Sequence, residues 1–215
     1  KSPCNKTLVI DNPHIKKALE YLNLALSSSS DCSGGVFYPE IFRNYFSLND
    51  LTIKGALTAI RIEGPAKSVD KRIEKLMKEI NVNSKEVSIL EPEQSNVFWK
   101  NTQNLNVFSA TKSNLLRIVS PPSETFDLIQ KLKKFDIKYF IDWGGNLVWL
   151  EINKVSPKIL REITDIVRSA KGYLTVIKIE EHLKAQIDIF AIDSIKYKIT
   201  EKIKKSFDPR RILNP

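Results

Sequence analysis

Lys138 to Ile179 reads KYFIDWGGNLVWLEINKVSPKILREITDIVRSAKGYLTVIKI, and within it the chain changes period twice. Lys138–Trp143 and Leu147–Ile152 are β-branched and aromatic runs of strand length. The string between them, Gly144-Gly145-Asn146, suits a tight hairpin that needs positive φ. Ser156 then stands as a helix N-cap with Pro157 at the first helical position, and Lys171-Gly172 closes the helix after Ala170. Ile159, Ile163, Ile166, Val167 and Ala170 share one stripe of that helix. Tyr173–Ile179 returns to strand character. The order is strand, strand, helix, strand.

Working outward, a strand over Leu115–Ser120 and a helix over Ser123–Phe135 complete a β-α-β-β-α-β unit. Glu124 in the first turn of that helix and Lys131, Lys133 and Lys134 in the last match its dipole. The preceding residues repeat the order: a strand at Thr7–Ile10, a helix over Pro13–Leu26 behind Asn12 as cap, a weak strand near Cys32–Tyr38, a strand at Thr52–Glu63, a helix over Lys67–Ile80 and a strand at Glu86–Leu90. Val69, Ile73, Leu76 and Ile80 line one face of that second helix. The expectation is an α+β, ferredoxin-like fold, duplicated, with an antiparallel sheet and helices on one face. The halves, about 7–90 and 114–179, match in element order and not in residues. Ser27–Gly35 reads as a loop up to the weak strand, Pro92–Ser113 as a long polar connection pinned by Val97-Phe98-Trp99, and Ser194–Ser206 as a final helix.

The chain has 215 residues, 42% of them hydrophobic, enough for a core of its own. Among its seven glycines no G-x-G-x-x-G or P-loop string occurs, so phosphate cradling has no support. Apolar runs fall far short of the roughly 20 residues that span a bilayer. No secretory signal is visible and residue 1 is Lys, which suggests a soluble, cytoplasmic protein cut at that end. Cys4 and Cys32 do not form a disulfide framework, and His14 and His182 lack the spacing of a metal site, so no metal is expected. The net charge of +9 is spread among acids along the helices, as on solvated faces. Lys202, Lys204 and Lys205 form its densest cluster, which serves either solubility or the docking of an acidic partner or lipid surface. Base-stacking aromatic strings are absent, so nucleic acid is not expected as a partner.

Strand alternation places Arg61 and Glu63 together, on the face opposite Thr58, Ile60 and Ile62. Arg61 either presents its planar fork to a substrate carboxylate with Glu63 orienting it, or forms an ion pair on a solvent-facing sheet. The same alternatives apply to Arg117, flanked by Leu115 and Val119. Asp142, at a strand end beside Trp143, acts as a base or holds an arginine if desolvated, or else accepts turn hydrogen bonds. Trp99, Trp143 and Trp149 read as core or interface anchors, with substrate stacking as the alternative. No serine or cysteine nucleophile pairs with a base.

Ala59-Ile60-Arg61-Ile62-Glu63-Gly64, Val97-Phe98-Trp99, Leu116-Arg117-Ile118-Val119-Ser120-Pro121-Pro122, Ile141-Asp142-Trp143-Gly144-Gly145 with Trp149-Leu150, Lys171-Gly172-Tyr173-Leu174-Thr175, and Phe207-Asp208-Pro209 through Leu213-Asn214-Pro215 occur in order across nearly the whole chain. Together they resemble the GlcE-type subunit of glycolate oxidase, and the last is shared more widely among FAD-linked oxidases of the vanillyl-alcohol-oxidase type. The resemblance implies a cap domain over residues 1–215, preceded in its parent by an FAD-binding domain absent from this chain. It implies FAD in that parent and none bound to this chain alone. It further implies a complex with a flavin-bearing and an iron–sulfur subunit that oxidises glycolate, a 2-hydroxy acid, to glyoxylate, at the inner face of the membrane or in the cytoplasm. Arg61, Glu63, Arg117, Asp142 and Trp143 become candidates for the substrate, and Trp99, Asp208 and Asn214 for facing the flavin domain. Tyr173 stands where the family has histidine, so no proton-transfer role carries over to it. Service chiefly as an assembly module of that complex is the alternative.

Overall fold

In a computed structural model, residues 4–11, 14–47, 55–109, 113–184, 187 and 194–213 are described. The first unit runs β1 (Cys4–Asp11), α1 (Ile15–Ser27), β2 (Cys32–Tyr38), a short α2 (Arg43–Ser47), β3 (Leu57–Gly64), α3 (Ala66–Glu79) and β4 (Val87–Leu90). After α4 (Pro92–Gln103), the second runs β5 (Asn114–Val119), α5 (Pro122–Leu132), β6 (Ile137–Asp142), β7 (Leu147–Ile152), α6 (Pro157–Ser169) and β8 (Tyr173–Lys178). Two helices follow, α7 (Glu181–Lys184) and α8 (Ser194–Phe207).

The strands pair antiparallel in one sheet of order β4-β1-β3-β2-β6-β7-β5-β8. Each half therefore has the ferredoxin-like order fourth, first, third, second. The halves join through their second strands, β2 and β6, at the antiparallel pair Phe37–Ile141. Equivalent strands running antiparallel across one pair generate a pseudo-twofold axis normal to the sheet, which keeps α1, α3, α5 and α6 on the same face. The duplication expected from element order is thus the observed architecture.

Local chemistry sets the element ends. Ser156 Oγ accepts the Ile159 N–H at 3.2 Å and caps α6 as expected. The second helix of each unit ends alike: Asn81 and Lys171 take left-handed φ of 49° and 55°. The next N–H then reaches back to Met77 O at 3.4 Å and to Val167 O at 2.9 Å. Two details differ from expectation. Helix α1 has His14, not Asn12, at its cap position, without a side-chain cap bond, and Asn12 lies outside the described residues. In α6 the buried positions include Leu160 beside Ile163 and Val167, while Ile159 and Ile166 pack at the margin, because the helix presents a face turned by about one residue.

Leu8, Ile10, Ile60, Ile62, Leu116, Ile118, Val148 and Leu150 point from the strands into the helix-covered face. The other face has its own apolar cluster, in which Val36, Tyr38, Leu57, Ala59 and Phe140 of the sheet meet Phe42, Phe46, Phe98 and Phe108. Tyr38 stacks on Phe140 with centroids 4.7 Å apart and meets Phe98 edge-on at 6.2 Å. Such contacts each add about 0.5–1.5 kcal/mol beyond burial. Phe98 belongs to α4, which corrects the expected irregular connection over Pro92–Ser113. Glu91 and Gln94 form a capping box, Pro92 sits in the first turn, and Ser95, Phe98 and Thr102 make the buried stripe. Two of those three buried residues are small and polar, so the stripe carried little hydropathy signal. The expected aromatic anchor is present: Trp99 Nε1 donates to Thr7 Oγ1 at 2.8 Å.

Candidate functional site

On the face covered by α4, a cleft of about 880 Å³ opens between that helix, the ends of β1, β2 and β3 and the β6–β7 hairpin. Its walls carry Arg61, Glu63, Trp99, Asp142 and Trp143, brought together from three separate stretches of sequence. Pairing explains the convergence. Arg61 lies between Thr7 of β1 and Gly34 of β2. A Cβ on Gly34 would stand 3.2 Å from the Trp99 ring, so the glycine is what lets the indole settle onto the sheet. Beyond β2, the Phe37–Ile141 pair brings the end of β6, and hence Asp142, to the same place.

The guanidinium of Arg61 is held on three sides. Its carbon lies 4.9 Å from the centroid of the Trp99 ring, and its Nε donates to Ser33 Oγ at 3.1 Å. Nη2 reaches Ser33 O at 3.4 Å, and Glu63 Oε2 is 3.8 Å from Nε. An arginine fixed in this way has lost its rotamer freedom before a ligand arrives, so an incoming carboxylate does not bear that entropy cost. The Arg61–Glu63 ion pair expected from the alternation is present, and it lies in the wall of a cleft rather than on a flat sheet. Asp142 makes the turn bond its position allowed, with Oδ1 accepting the Trp143 N–H at 2.7 Å, and its carboxyl lines the cleft. Burial raises its pKa above the usual carboxylate range, with the Trp143 N–H and the charge of Arg61 pulling partly back. Lys100 adds a second cation to the wall, and Ser33, Asn96 and Gln103 add neutral hydrogen-bonding groups.

Arg117 is elsewhere. It sits on β5 between Trp149 and Thr175, four strands away from β3, or about 19 Å at the usual strand spacing. One small acid cannot bridge Arg61 and Arg117. Asp208 is buried and accepts the N–H groups of Ile212 at 2.9 Å and Leu213 at 2.8 Å, which fixes the turn after α8. Asn214 lies outside the described residues. Sequence reasoning missed Ser33, which meets Arg61 through the pairing of β2 with β3, and Asn96 and Lys100, whose places depend on α4 being a helix; the Glu91–Gln94 capping box was the signal that could have revealed that helix. A second cavity of about 300 Å³, walled by Tyr38, Tyr45, Phe46 and Phe98, has Glu93 as its charged residue and is unsuited to an anion.

Comparison with solved structures places this architecture. Over 100% of its length the chain superposes on p-cresol methylhydroxylase with substrate bound, at TM-score 0.63 and 12% identity. The likeness is one of fold: an α+β domain with eight antiparallel strands in one sheet, like the C-terminal domain of FAD-linked oxidases. A 4-ethylphenol oxidase from Gulosibacter chungangensis, in complex with isoeugenol, matches over 100% of the chain at TM-score 0.55 and 13% identity. An alkyldihydroxyacetonephosphate synthase matches over 99% at TM-score 0.55 and 15% identity. The chain spans about half of these proteins, 52%, 53% and 43% of their respective lengths. No family model and no curated protein sequence matches it. Among the described residues, no helix is long and apolar enough to cross a membrane.

Proposed function

We propose that this chain is the substrate-covering cap of an FAD-linked oxidase that acts on a 2-hydroxy acid, with glycolate the acid named by the sequence resemblance. The observation that carries this reading is the fixed guanidinium of Arg61 in a cleft that also holds the raised-pKa carboxyl of Asp142. Arg61 takes the substrate carboxylate. Asp142, in its ionised form, accepts the proton of the 2-hydroxyl, and Glu63 keeps Arg61 from turning out of the cleft. Bound FAD supplies the acceptor for the hydride from carbon 2. The chain has no glycine-rich phosphate cradle, so in this reading the dinucleotide is gripped by another domain and this one walls the reacting end. Titration calorimetry of glycolate and lactate, with ethylene glycol as the uncharged control, tests the anion site. Binding of both acids and not the diol, lost in Arg61→Ala, supports it; equal heats for all three, or binding unchanged in Arg61→Ala, contradicts it.

The assembly reading has its own support in α8. Ile199, Ile203 and Phe207 recur at four-residue spacing and are 53%, 54% and 86% exposed, with Lys202 and Lys205 exposed beside them. An apolar stripe left in water on a basic helix is a docking surface for a further domain or subunit. Reversing charge at Lys202, Lys204 and Lys205 should weaken assembly with such a partner and leave carboxylate binding intact; assembly unchanged in the triple variant removes the support.

A further inference from the structure

Among the described residues, six that are not glycine adopt positive φ: Asp31, Asn81, Leu105, Trp143, Lys171 and Arg211. Four are polar residues in turns, and Asn81 and Lys171 close helices. Leu105 directly follows the C-cap of α4, where a left-handed residue ends the helix, and its side chain packs against the second apolar cluster. Trp143 is different. It belongs to neither cluster, is 62% exposed, and lines the cleft. A bulky side chain in the left-handed region crowds its own backbone and persists only where the surroundings dictate it.

The surroundings do so here. A Cβ on Gly144 would stand 1.9 Å from Leu26 Cδ1, and one on Gly145 would stand 3.0 Å from Leu19 Cδ2, so the hairpin is pressed onto α1. Asp142 Oδ1 holds the Trp143 N–H from the other side. The backbone is fixed by packing on the helix-covered face, and it carries the indole to the cleft on the opposite one. With the Trp143 backbone already fixed, only the side-chain torsions of the indole remain to be ordered when a second ring stacks on it. The cleft, at about 880 Å³, is in the size range that takes ligands far larger than a two-carbon acid.

The geometry points to a two-part subsite in which Arg61 takes the carboxylate of a 2-hydroxy acid and Trp143 stacks on a planar aromatic substituent of the same molecule. Aryl-bearing 2-hydroxy acids are then bound more tightly than glycolate. This inference rests on the reading of the cleft as a 2-hydroxy-acid site.

Titration calorimetry on the 215-residue chain tests it, with glycolate, 3-phenyllactate and the non-planar 3-cyclohexyllactate as ligands. Trp143→Gly is the informative variant, because glycine accepts the positive φ and removes only the ring; Trp143→Phe restores a smaller ring. The expected result is 3-phenyllactate ahead of both other acids, its affinity falling roughly five- to tenfold in Trp143→Gly and recovering in Trp143→Phe, with glycolate within about twofold throughout. Equal affinity for the three acids, or an equal loss for all in Trp143→Gly, overturns the stacking role while the carboxylate site stands. Absence of binding by every acid overturns the carboxylate site and the inference with it. Riboflavin binding that Trp143→Gly abolishes, with 3-phenyllactate unaffected, assigns the indole to a flavin ring and overturns the substrate assignment.

Discussion

Arg61 and Glu151 occupy matching places in the two halves of the sheet. Each is the fourth residue after the leucine that starts the third strand of its unit, Leu57 opposite Tyr38 and Leu147 opposite Asp142. In the first half that position is a cation held in a cleft under Trp99. In the second it is a carboxylate whose side chain is 3% exposed and leans on Lys138 at 3.6 Å. The frames agree and the coverings differ. The first half acquires α2 from the connection between β2 and β3, and α4 from the segment after β4, whereas the second turns from β6 to β7 in four residues. The repeat thus provides the sheet, and the cleft forms where extra chain was laid over one face of it.

The largest effect that would break this contrast is loss of the covering. Trp99→Ala should cost about 3 kcal/mol in urea unfolding, since it removes a large ring, its bond to Thr7 and the support of Arg61. Trp149→Ala, on the same face of the second half, should cost less than half as much; equal costs would mean that the two faces are equally built. Next, Arg61→Ala should lower 2-hydroxy-acid affinity by about tenfold or more, the scale of a charge-assisted hydrogen bond, and Arg117→Ala by less than about twofold. Reversed calorimetric results would move the site to the second half.

Asp142 gives a smaller, pH-dependent effect. Burial raises its folded pKa, so the folded state keeps a proton where the unfolded chain has released it, and stability falls as pH rises from the ordinary carboxylate range through the raised value. The cost is fully present above the raised value. Asp142→Asn keeps an acceptor for the Trp143 N–H and should raise Tm above the raised pKa, with the gain vanishing as pH falls into the ordinary carboxylate range. A gain independent of pH would exclude the carboxyl as its source. Smallest of all, Lys171→Gly should stabilise by about 0.5 kcal/mol by relieving a left-handed residue, and Asn81→Gly by less, because asparagine tolerates that conformation. Unequal helix ends by this measure would sharpen the repeat; a loss at Lys171 would deny it.

The repeat was legible because its signals are local. Ser156-Pro157, the Gly144-Gly145-Asn146 turn and the stripe through Val69, Ile73 and Leu76 each announce an element without knowledge of its neighbours. Strand alternation likewise placed Arg61 with Glu63, and the strand-end position singled out Asp142. What could not be read was convergence. Gly34 beneath Trp99, and β6 beside β2, are properties of sheet order, and nothing local in Arg117 tells that it lies four strands from β3. Helix α4 was hidden for a different reason: it buries Ser95 and Thr102 by bonding them to Thr7 and Tyr38, so its inner face lacks the apolar period of an ordinary helix.

The most direct test of the assignment of the site to one half follows the side-chain Nε–Hε resonances of Arg61 and Arg117 by NMR as 3-phenyllactate or lactate is added. The account predicts a saturable shift of the Arg61 signal with Arg117 unmoved. A saturable shift of Arg117 with Arg61 unmoved would contradict it.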